Sequence, residues 1–353
     1  MKKEGVSTLK VAGVYIGTIV GAGFATGQEV LQFFSKFGIM GLAGLTITMI
    51  LFMYFGHIIM DLGRQLNAQS HIEIIKYSGG KIIGTLVDAI ITIFLFGALT
   101  AMIAGTGALF EQQFNLPSIF GNILMSVVTA FTVIKGIKGV INSISFVVPF
   151  LLVSVIGVSI YSIISTPPDI TATVEMVEES KLITNWFLAA ILYVSYNTVI
   201  AIAVLGPLGV EARDKKAIRN GAILGGLGLG VGSIMIYLAL SGNIEEISKL
   251  EVPMIFIAGS FSPVIQIIYA IVLTAEVYTT AVGSLYGFVS RITDIEDHPK
   301  KGKIMVISAS IVALLASQLG FSTLVMYLYP LVGYGGIVLL ASLVYTKYKV
   351  KFK

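Results

Sequence analysis

The chain has 353 residues, of which 56% are hydrophobic and only 12% are charged. A soluble domain carries about twice that share of charged residues, so the composition excludes an ordinary soluble protein and predicts an all-α integral membrane protein. The absence of cysteine excludes disulfides and thiolate metal sites.

Ten apolar stretches are long enough to cross about 30 Å of hydrocarbon as helices. The predicted spans are 8–36, 39–63, 82–110, 119–135, 142–164, 183–207, 217–240, 262–290, 304–319 and 322–345. The connections between them are short and leave no room for a soluble domain. We therefore predict one transmembrane domain over residues 1–353, built from ten transmembrane helices.

The first span carries an unusual sequence for a membrane helix, GTIVGAGFATGQE at 17–29. Glycine destabilises a helix by roughly 1 kcal/mol relative to alanine, and a carboxylate is costly in hydrocarbon. A dinucleotide-binding fingerprint would need GxGxxG after a strand, and here the spacing is one residue too long. Two readings remain: GxxxG pairs that allow close helix packing, and a helix broken inside the membrane. In the seventh span, NGAILGGLGLGVGS at 220–233 predicts close packing.

A broken helix would expose backbone groups to a ligand. Non-helical backbone at membrane depth is tolerated where it is buried in protein or lines a cavity. In transporters, the freed carbonyls of such breaks coordinate a cation, and the free N–H groups bind an anionic group. We predict that the substrate carboxylate meets this segment, with a binding set of Gly21, Ala22, Gly23 and Phe24. Gln28 and Glu29 lie just past the break, toward the outside, as predicted coupling or gating residues.

The sixth span is expected to contain a second break, because such transporters repeat their architecture in two halves. Its middle reads ILYVSYNTVIAIAV at 191–204, with a polar run followed by β-branched residues that favour helix weakly. It has no central glycine. From this run we predict three substrate-binding residues, Ser195, Tyr196 and Asn197. The ten spans would then form two inverted five-helix repeats, about 8–164 and about 183–345.

The eighth span contains TAEVYTTAVGS at 274–284. Of the acidic residues, Glu276 lies deepest within a predicted span. A carboxylate inside a membrane is costly, so such a residue is first interpreted as part of a functional site. Thr279 and Thr280 follow at i+3 and i+4, on the same helical face. The three side chains offer oxygen ligands for a hard cation or, through Glu276, a route for a proton. The threonines could instead bond to carbonyls of their own helix.

The basic residues divide unevenly between the two sides of the predicted membrane. With the N-terminus inside, 20 of the 23 fall on the inner side, and the outer side receives only Lys36, Lys181 and Lys249. Cytoplasmic segments of membrane proteins carry such an excess. This asymmetry supports ten spans with both termini cytoplasmic in a bacterial-type cell membrane. It also accounts for the net charge of +4, so that no nucleic-acid partner is implied.

The motif GxxVGAGF at 17–24 resembles the unwound segment of the amino acid–polyamine–organocation superfamily, whose members have the leucine-transporter fold. It is also similar to that of the neurotransmitter:sodium symporters. VEARDKKAIRNGA at 210–222 resembles the basic cytoplasmic signature of amino-acid permeases, although the usual proline is missing. The sequence GAGFATGQE at 21–29 most resembles that of the YkvI-like permeases.

The resemblance implies a mechanism and an ion site. Helices 1, 2, 6 and 7 would rock against the rest, and Tyr196 would lie where the permeases place an aromatic beside the substrate. Adjacent hydroxyls of helix 8 and two carbonyls of helix 1 hold sodium in the symporters. Here the matching residues are Gly17, Val20, Thr279 and Thr280. Some permeases use a lysine in helix 5 instead, and the fifth span has none.

These observations predict a symporter that takes up an amino acid or a related small zwitterion or amine. Sodium is favoured over a proton as coupling ion, and no other cofactor or obligatory protein partner is implied. A proton-coupled or exchanging permease acting through Glu276 is the alternative of the same class. A membrane sensor or scaffold without transport is the alternative of another class. No catalytic motif is present, so the sequence does not predict an enzyme.

Overall fold

The chain is almost entirely helical. A computed structural model describes residues 5–135, 138–171, 180–293 and 298–351, and within these ranges it contains helices and no strand. The first seven α-helices are α1 (Thr8–Ile19), α2 (Ala22–Thr26), α3 (Gln28–Phe34), α4 (Ile39–Leu66), α5 (His71–Phe114), α6 (Ser118–Lys135) and α7 (Lys138–Ser165). The other seven are α8 (Trp186–Glu211), α9 (Lys215–Ser241), α10 (Ile244–Ile247), α11 (Pro253–Phe261), α12 (Pro263–Ile292), α13 (Pro299–Ala316) and α14 (Phe321–Lys351).

Eight helices in the described part of the chain are long and apolar enough to cross a membrane. Two shorter apolar helices, Thr8–Ile19 and Pro149–Ser165, lie in the first and fifth predicted spans. Every predicted span is therefore helical, the first as the three short helices α1, α2 and α3. The count of ten crossings and the inverted repeat stay predictions. The connection 241–261, between the seventh and eighth predicted spans, contains α10 and α11.

Side-chain caps fix where several helices begin. Ser70 and Glu73 form a reciprocal capping box at the start of α5, which satisfies two backbone N–H groups at once. Asn185 accepts a hydrogen bond from the Leu188 N–H at the start of α8. Asp214 accepts one from the Ala217 N–H at 2.7 Å at the start of α9. This bond holds the pKa of the Asp214 carboxyl below its usual range.

The helices α1, α4, α8 and α9 pack together as one bundle. Glycines on α9 allow this close approach, as the sequence predicted for residues 220–233. A Cβ atom on Gly225 would overlap the Tyr15 ring of α1, and one on Gly226 would lie 2.6 Å from the backbone nitrogen of Met53 on α4. The Tyr15 hydroxyl also donates to the Phe52 carbonyl at 2.7 Å. These four helices correspond to predicted spans 1, 2, 6 and 7.

The predicted break in the sixth span is wrong. Helix α8 runs without interruption from Trp186 to Glu211. The polar residues that suggested a break are satisfied without unwinding the backbone: Asn197 Nδ2 donates to the Tyr193 carbonyl at 2.9 Å, and Ser195 Oγ donates to the Gly333 carbonyl of α14 at 2.6 Å. No glycine interrupts this part of α8, so the backbone has no cause to leave the helix.

Short backbone contacts close the end of the bundle that is predicted to be cytoplasmic. The Val6 N–H donates to the Glu211 carbonyl at 2.8 Å, and the Arg213 N–H donates to the Val6 carbonyl at 3.0 Å. Arg64 of α4 donates to the Ala212 carbonyl at 2.7 Å. The segment before α1 is thereby tied to the connection between α8 and α9.

At the opposite end, α11 lies against α2, and the residues around Glu251 link it to α5 and α14. Glu251 Oε2 accepts a hydrogen bond from the Phe321 N–H at 3.1 Å. Gln112 bonds to both backbone groups of Val252. Burial raises the pKa of Glu251, and the neighbouring Glu111 carboxyl adds to the effect. At the predicted outer face, α11 therefore covers α2.

Candidate functional site

The first span breaks at the glycines that predicted it. Helix α1 ends at Ile19, Val20 and Gly21 have extended backbones, and α2 begins at Ala22. The last carbonyls of α1 and the first N–H groups of α2 consequently lack intrahelical partners. Val20 is only 2% exposed and Ala22 only 1%, so this irregular backbone is buried in protein. The prediction of a broken first helix is confirmed.

A second interruption follows at Gly27, which separates α2 from α3. Its backbone has φ +80° and ψ −5°, in the left-handed region that glycine adopts readily. Thr26 stabilises the turn, because its hydroxyl donates to the Gly23 carbonyl at 2.9 Å and accepts from the Gln28 N–H at 3.2 Å. The chain changes direction here, and this turn sets where the side chains of α3 point.

Replacing Gly27 with alanine should lower the melting temperature of the detergent-purified protein. A left-handed conformation costs an L-residue about 1–2 kcal/mol, and the new Cβ atom would lie 2.9 Å from Met254 Cγ. Gly13→Ala in α1 is the matched control, because no atom lies within 4 Å of a Cβ there and alanine favours helix. Equal melting temperatures for the two variants would contradict the left-handed turn.

The carboxylate of Glu29 lies beside the break. Its Oε2 atom accepts hydrogen bonds from the hydroxyls of Tyr196 at 2.5 Å and Tyr193 at 3.2 Å, both on α8. A Cβ atom on Gly23 would overlap Glu29 Oε1, so this oxygen lies against the start of α2. Glu29 is 6% exposed. The structure thus joins Gly23, Glu29 and Tyr196, three of the predicted residues, in one buried group.

Four aromatic rings pack around the Tyr196 ring, whose hydroxyl donates to this carboxylate. The Tyr196 ring centroid lies 5.0 Å from that of Tyr329, 5.4 Å from that of Tyr193, 5.8 Å from that of Phe33 and 6.1 Å from that of Phe94. These rings come from α3, α5, α8 and α14. Sequence reasoning missed Tyr193 and Phe33, although Tyr193 shares a helical face with Tyr196 and Phe33 lies one turn after Glu29.

Other predicted residues contact neighbouring helices instead. Ser195 and Asn197 bond to backbone carbonyls, as described above. Gln28 Nε2 donates to Ser322 Oγ of α14 at 2.7 Å. The Phe24 ring lies 3.1 Å from where a Gly232 Cβ would be, and so packs on α9. A substrate-binding role for Ser195, Asn197, Gln28 and Phe24 stays a prediction.

A second buried carboxylate, Glu276, lies on α12. It is 3% exposed, its Oε1 accepts from the Thr280 hydroxyl at 3.4 Å, and its Oε2 has no partner among the described residues. The Thr279 hydroxyl donates to the Glu276 carbonyl at 3.0 Å. Both threonine hydroxyls are therefore engaged within α12, and a sodium site shared with the carbonyls of Gly17 and Val20 stays a prediction.

The face of α12 that carries Glu276 is the face turned toward the broken span. Tyr269 precedes Glu276 by two helical turns, so the two residues share a stripe, and the Tyr269 hydroxyl donates to the Ala25 carbonyl of α2 at 2.5 Å. Within the described ranges, neither Glu276 nor Glu29 forms an ion pair with a lysine or arginine. Glu29 thus lies beside the helix break, and Glu276 lies on the helix that contacts α2, two turns from that contact.

The chain is similar to two proteins of Bacillus subtilis (strain 168). It is 31% identical to the uncharacterized membrane protein YkvI over 348 residues, which cover 98% of each chain. The chain belongs to the YkvI family. It is also 27% identical over 330 residues to the uncharacterized protein YyaD, with 93% of each chain covered. No protein-family model matches the sequence of this YkvI-family chain.

Solved structures give the fold of this YkvI-family protein. MhsT in complex with L-phenylalanine matches with a TM-score of 0.65 at 17% identity, covering 96% of this chain and 89% of MhsT. A substrate-bound, outward-open Na⁺-coupled sialic acid symporter matches with a TM-score of 0.63 at 13% identity, covering 89% of this chain and 74% of the symporter. Inward-facing Mhp1 matches with a TM-score of 0.58 at 14% identity, covering 88% of this chain and 70% of Mhp1. The likeness shows the leucine-transporter fold.

Proposed function

We propose that this YkvI-family protein is a secondary active transporter that takes up an amino acid or a related small zwitterion or amine, driven by a cation gradient. The observation that carries the proposal is the broken first helix with the buried carboxylate of Glu29 beside it, together with a second buried carboxylate, Glu276, on the helix that contacts α2; neither has a basic partner among the described residues. An ionised carboxylate buried without a positive partner is strongly unfavourable. A protein that keeps two of them beside irregular backbone is suited to bind cations there.

The two closed ends of the molecule support transport by alternating access. Val6 bonds to the end of α8 and to the connection between α8 and α9 at one end, and Met254 of α11 lies against Gly27 at the other. The first contact lies within the bundle of α1, α4, α8 and α9, whereas the second joins Gly27 to α11, outside that bundle, so this second end can open when the bundle moves. The bundle of α1, α4, α8 and α9 would move against the remaining helices, as in other transporters built from such halves.

Sodium is the coupling ion we favour. Carbonyls at the end of α1, the hydroxyls of Thr279 and Thr280 and the carboxylate of Glu276 would form an oxygen-only set, which suits a hard cation. The unpartnered Glu276 Oε2 supports a cation near α12. The same atom supports the alternative, in which Glu276 carries a proton and sodium has no part. The two ions differ in which side chains they require.

Purified protein in liposomes tests the proposal. We expect a labelled amino acid or amine to accumulate when an inward sodium gradient is imposed, and to stop accumulating when the gradient is dissipated. The same solute should raise the melting temperature of the detergent-purified protein, because a ligand that binds only the folded state stabilises it. If no amino acid or amine accumulates or shifts melting, a sensor or scaffold becomes the better interpretation.

A further inference from the structure

We propose that Glu29 and the rings around it bind the ammonium group of an organic amine, so that the preferred substrate carries a positive charge and no carboxylate. This inference rests on the proposed transport function and narrows its substrate class. It is carried by the position of the Glu29 carboxylate between Gly23, Tyr193 and Tyr196.

The hydrogen bonds of Glu29 leave one oxygen for a ligand. Both tyrosine hydroxyls donate to Oε2, and two donors on one oxygen suit an ionised carboxylate. Oε1 lies against Gly23, at the start of α2, and neither tyrosine donates to it. A primary ammonium group has three N–H donors and can supply both the missing hydrogen bond and the missing positive charge.

The rings around Glu29 are suited to the same group. A cation is attracted to the face of an aromatic ring within about 6 Å of its centroid. Five rings, those of Phe33, Phe94, Tyr193, Tyr196 and Tyr329, lie in a continuous chain of contacts with centroids 5.0–6.1 Å apart. A carboxylate beside ring faces of this kind favours a cation over an anion.

A substrate carboxylate fits the break poorly. The start of α2, where the sequence predicted that a substrate carboxylate would bind, already has Glu29 Oε1 against Gly23. A zwitterion docked there would bring a second negative charge next to the first, and like charges placed side by side oppose binding. Helix α2 has only five residues, so its dipole offers little to offset that repulsion.

Matched ligand pairs test this inference on the intact wild-type protein. L-phenylalanine and phenethylamine differ by the carboxylate alone, as do L-leucine and isoamylamine, and the methyl ester of each amino acid keeps the bulk without the charge. We expect the amines and esters to raise the melting temperature and to bind at least about tenfold more tightly than the parent amino acids. Calorimetric titration in detergent gives the affinities.

Glu29→Gln keeps the size of the side chain and removes its charge. We expect this variant to lose about a hundredfold in affinity for the amines and to bind amines and amino acids without preference. Glu246→Gln, at an exposed position on α10, is the matched control and should behave as wild type. Tyr196→Phe keeps the ring and removes one hydroxyl, so it should weaken amine binding less than Glu29→Gln does.

The possible failures are distinguishable. If the parent amino acids bind as tightly as their amines and accumulate in liposomes, transport stands and the amine inference is overturned. If amine affinity is unchanged in Glu29→Gln, the ammonium site lies elsewhere and the inference is overturned as well. If no member of either pair binds or accumulates, both the inference and the proposed transport fail together. The comparison of pairs on wild-type protein does not depend on whether any variant folds.

Discussion

Gly23→Ala is expected to lower the affinity for substrate at least about thirtyfold, whereas Gly21→Ala leaves it intact. The two glycines flank the start of α2 but have different surroundings. A Cβ atom on Gly23 would overlap Glu29 Oε1 and lie 2.8 Å from Glu29 Cδ, so the carboxylate must move. Gly21 has no atom within 4 Å of a Cβ, and its φ of −123° is open to alanine.

Gly23→Ala should weaken ligand binding because the displaced Glu29 carboxylate loses its contacts. Moving its carboxylate breaks the hydrogen bonds from Tyr193 and Tyr196 and separates the charge from the surrounding rings. Disrupting one partner of a buried charge interaction costs about 2–5 kcal/mol, so affinity should fall at least about thirtyfold. Titration of each variant with the best wild-type ligand measures the effect.

Gly21→Ala serves as the control for adding a methyl group to the broken segment at a position where it meets no other atom. If the two variants bind the ligand equally, the glycines of the first span serve helix packing rather than ligand binding. If Gly23→Ala fails to fold, Glu29→Gln takes its place in the test. It keeps the size of the side chain and removes the negative charge that the Gly23→Ala substitution would displace. Equal binding by wild type and Glu29→Gln would then place the decisive interaction elsewhere.

The break in the first span could be predicted because its cause is local. Four glycines in thirteen residues weaken the helix wherever the segment lies, and the structure interrupts the helix at Gly21 and again at Gly27. The sixth span was misjudged because polar side chains do not by themselves interrupt a helix. Asn197 and Ser195 find carbonyl acceptors in the helix itself and on α14, and only the tertiary packing reveals the second of these.

The position of Glu29 could not be predicted from the sequence. The sequence placed it past the break and toward the outside, and the structure directs its carboxylate against Gly23 and α8. The left-handed turn at Gly27 reorients α3, and a glycine in a sequence does not state which φ it adopts. Tyr193, Phe33 and Tyr329 were missed for a related reason, since apolar stretches rich in aromatics do not indicate which rings face one another.

Two variants should distinguish the coupling ions, Glu276→Gln and the double variant Thr279→Ala/Thr280→Ala. The double variant should lose more uptake if sodium is coupled, and Glu276→Gln should lose more if a proton is coupled. If sodium is coupled, the double variant removes two hydroxyl ligands and should lose about tenfold or more of the sodium-dependent uptake, while Glu276→Gln keeps an oxygen ligand and retains part of it. If a proton is coupled, Glu276→Gln should end the dependence of uptake on the pH gradient, because an amide cannot carry the proton.

The structure sharpens this comparison, because the Thr280 hydroxyl donates to Glu276 Oε1. Removing it disturbs the carboxylate as well, so the matched control is Thr279→Ser/Thr280→Ser, which keeps both hydroxyls. A threonine hydroxyl does not ionise at physiological pH and so cannot carry a coupling proton. A paired Thr-Thr on the face of Glu276 is therefore better explained by a metal cation. We expect the serine variant to retain sodium-dependent uptake and the alanine variant to lose it. Equal wild-type uptake in sodium and choline buffers, at fixed pH and membrane potential, would rule out sodium coupling.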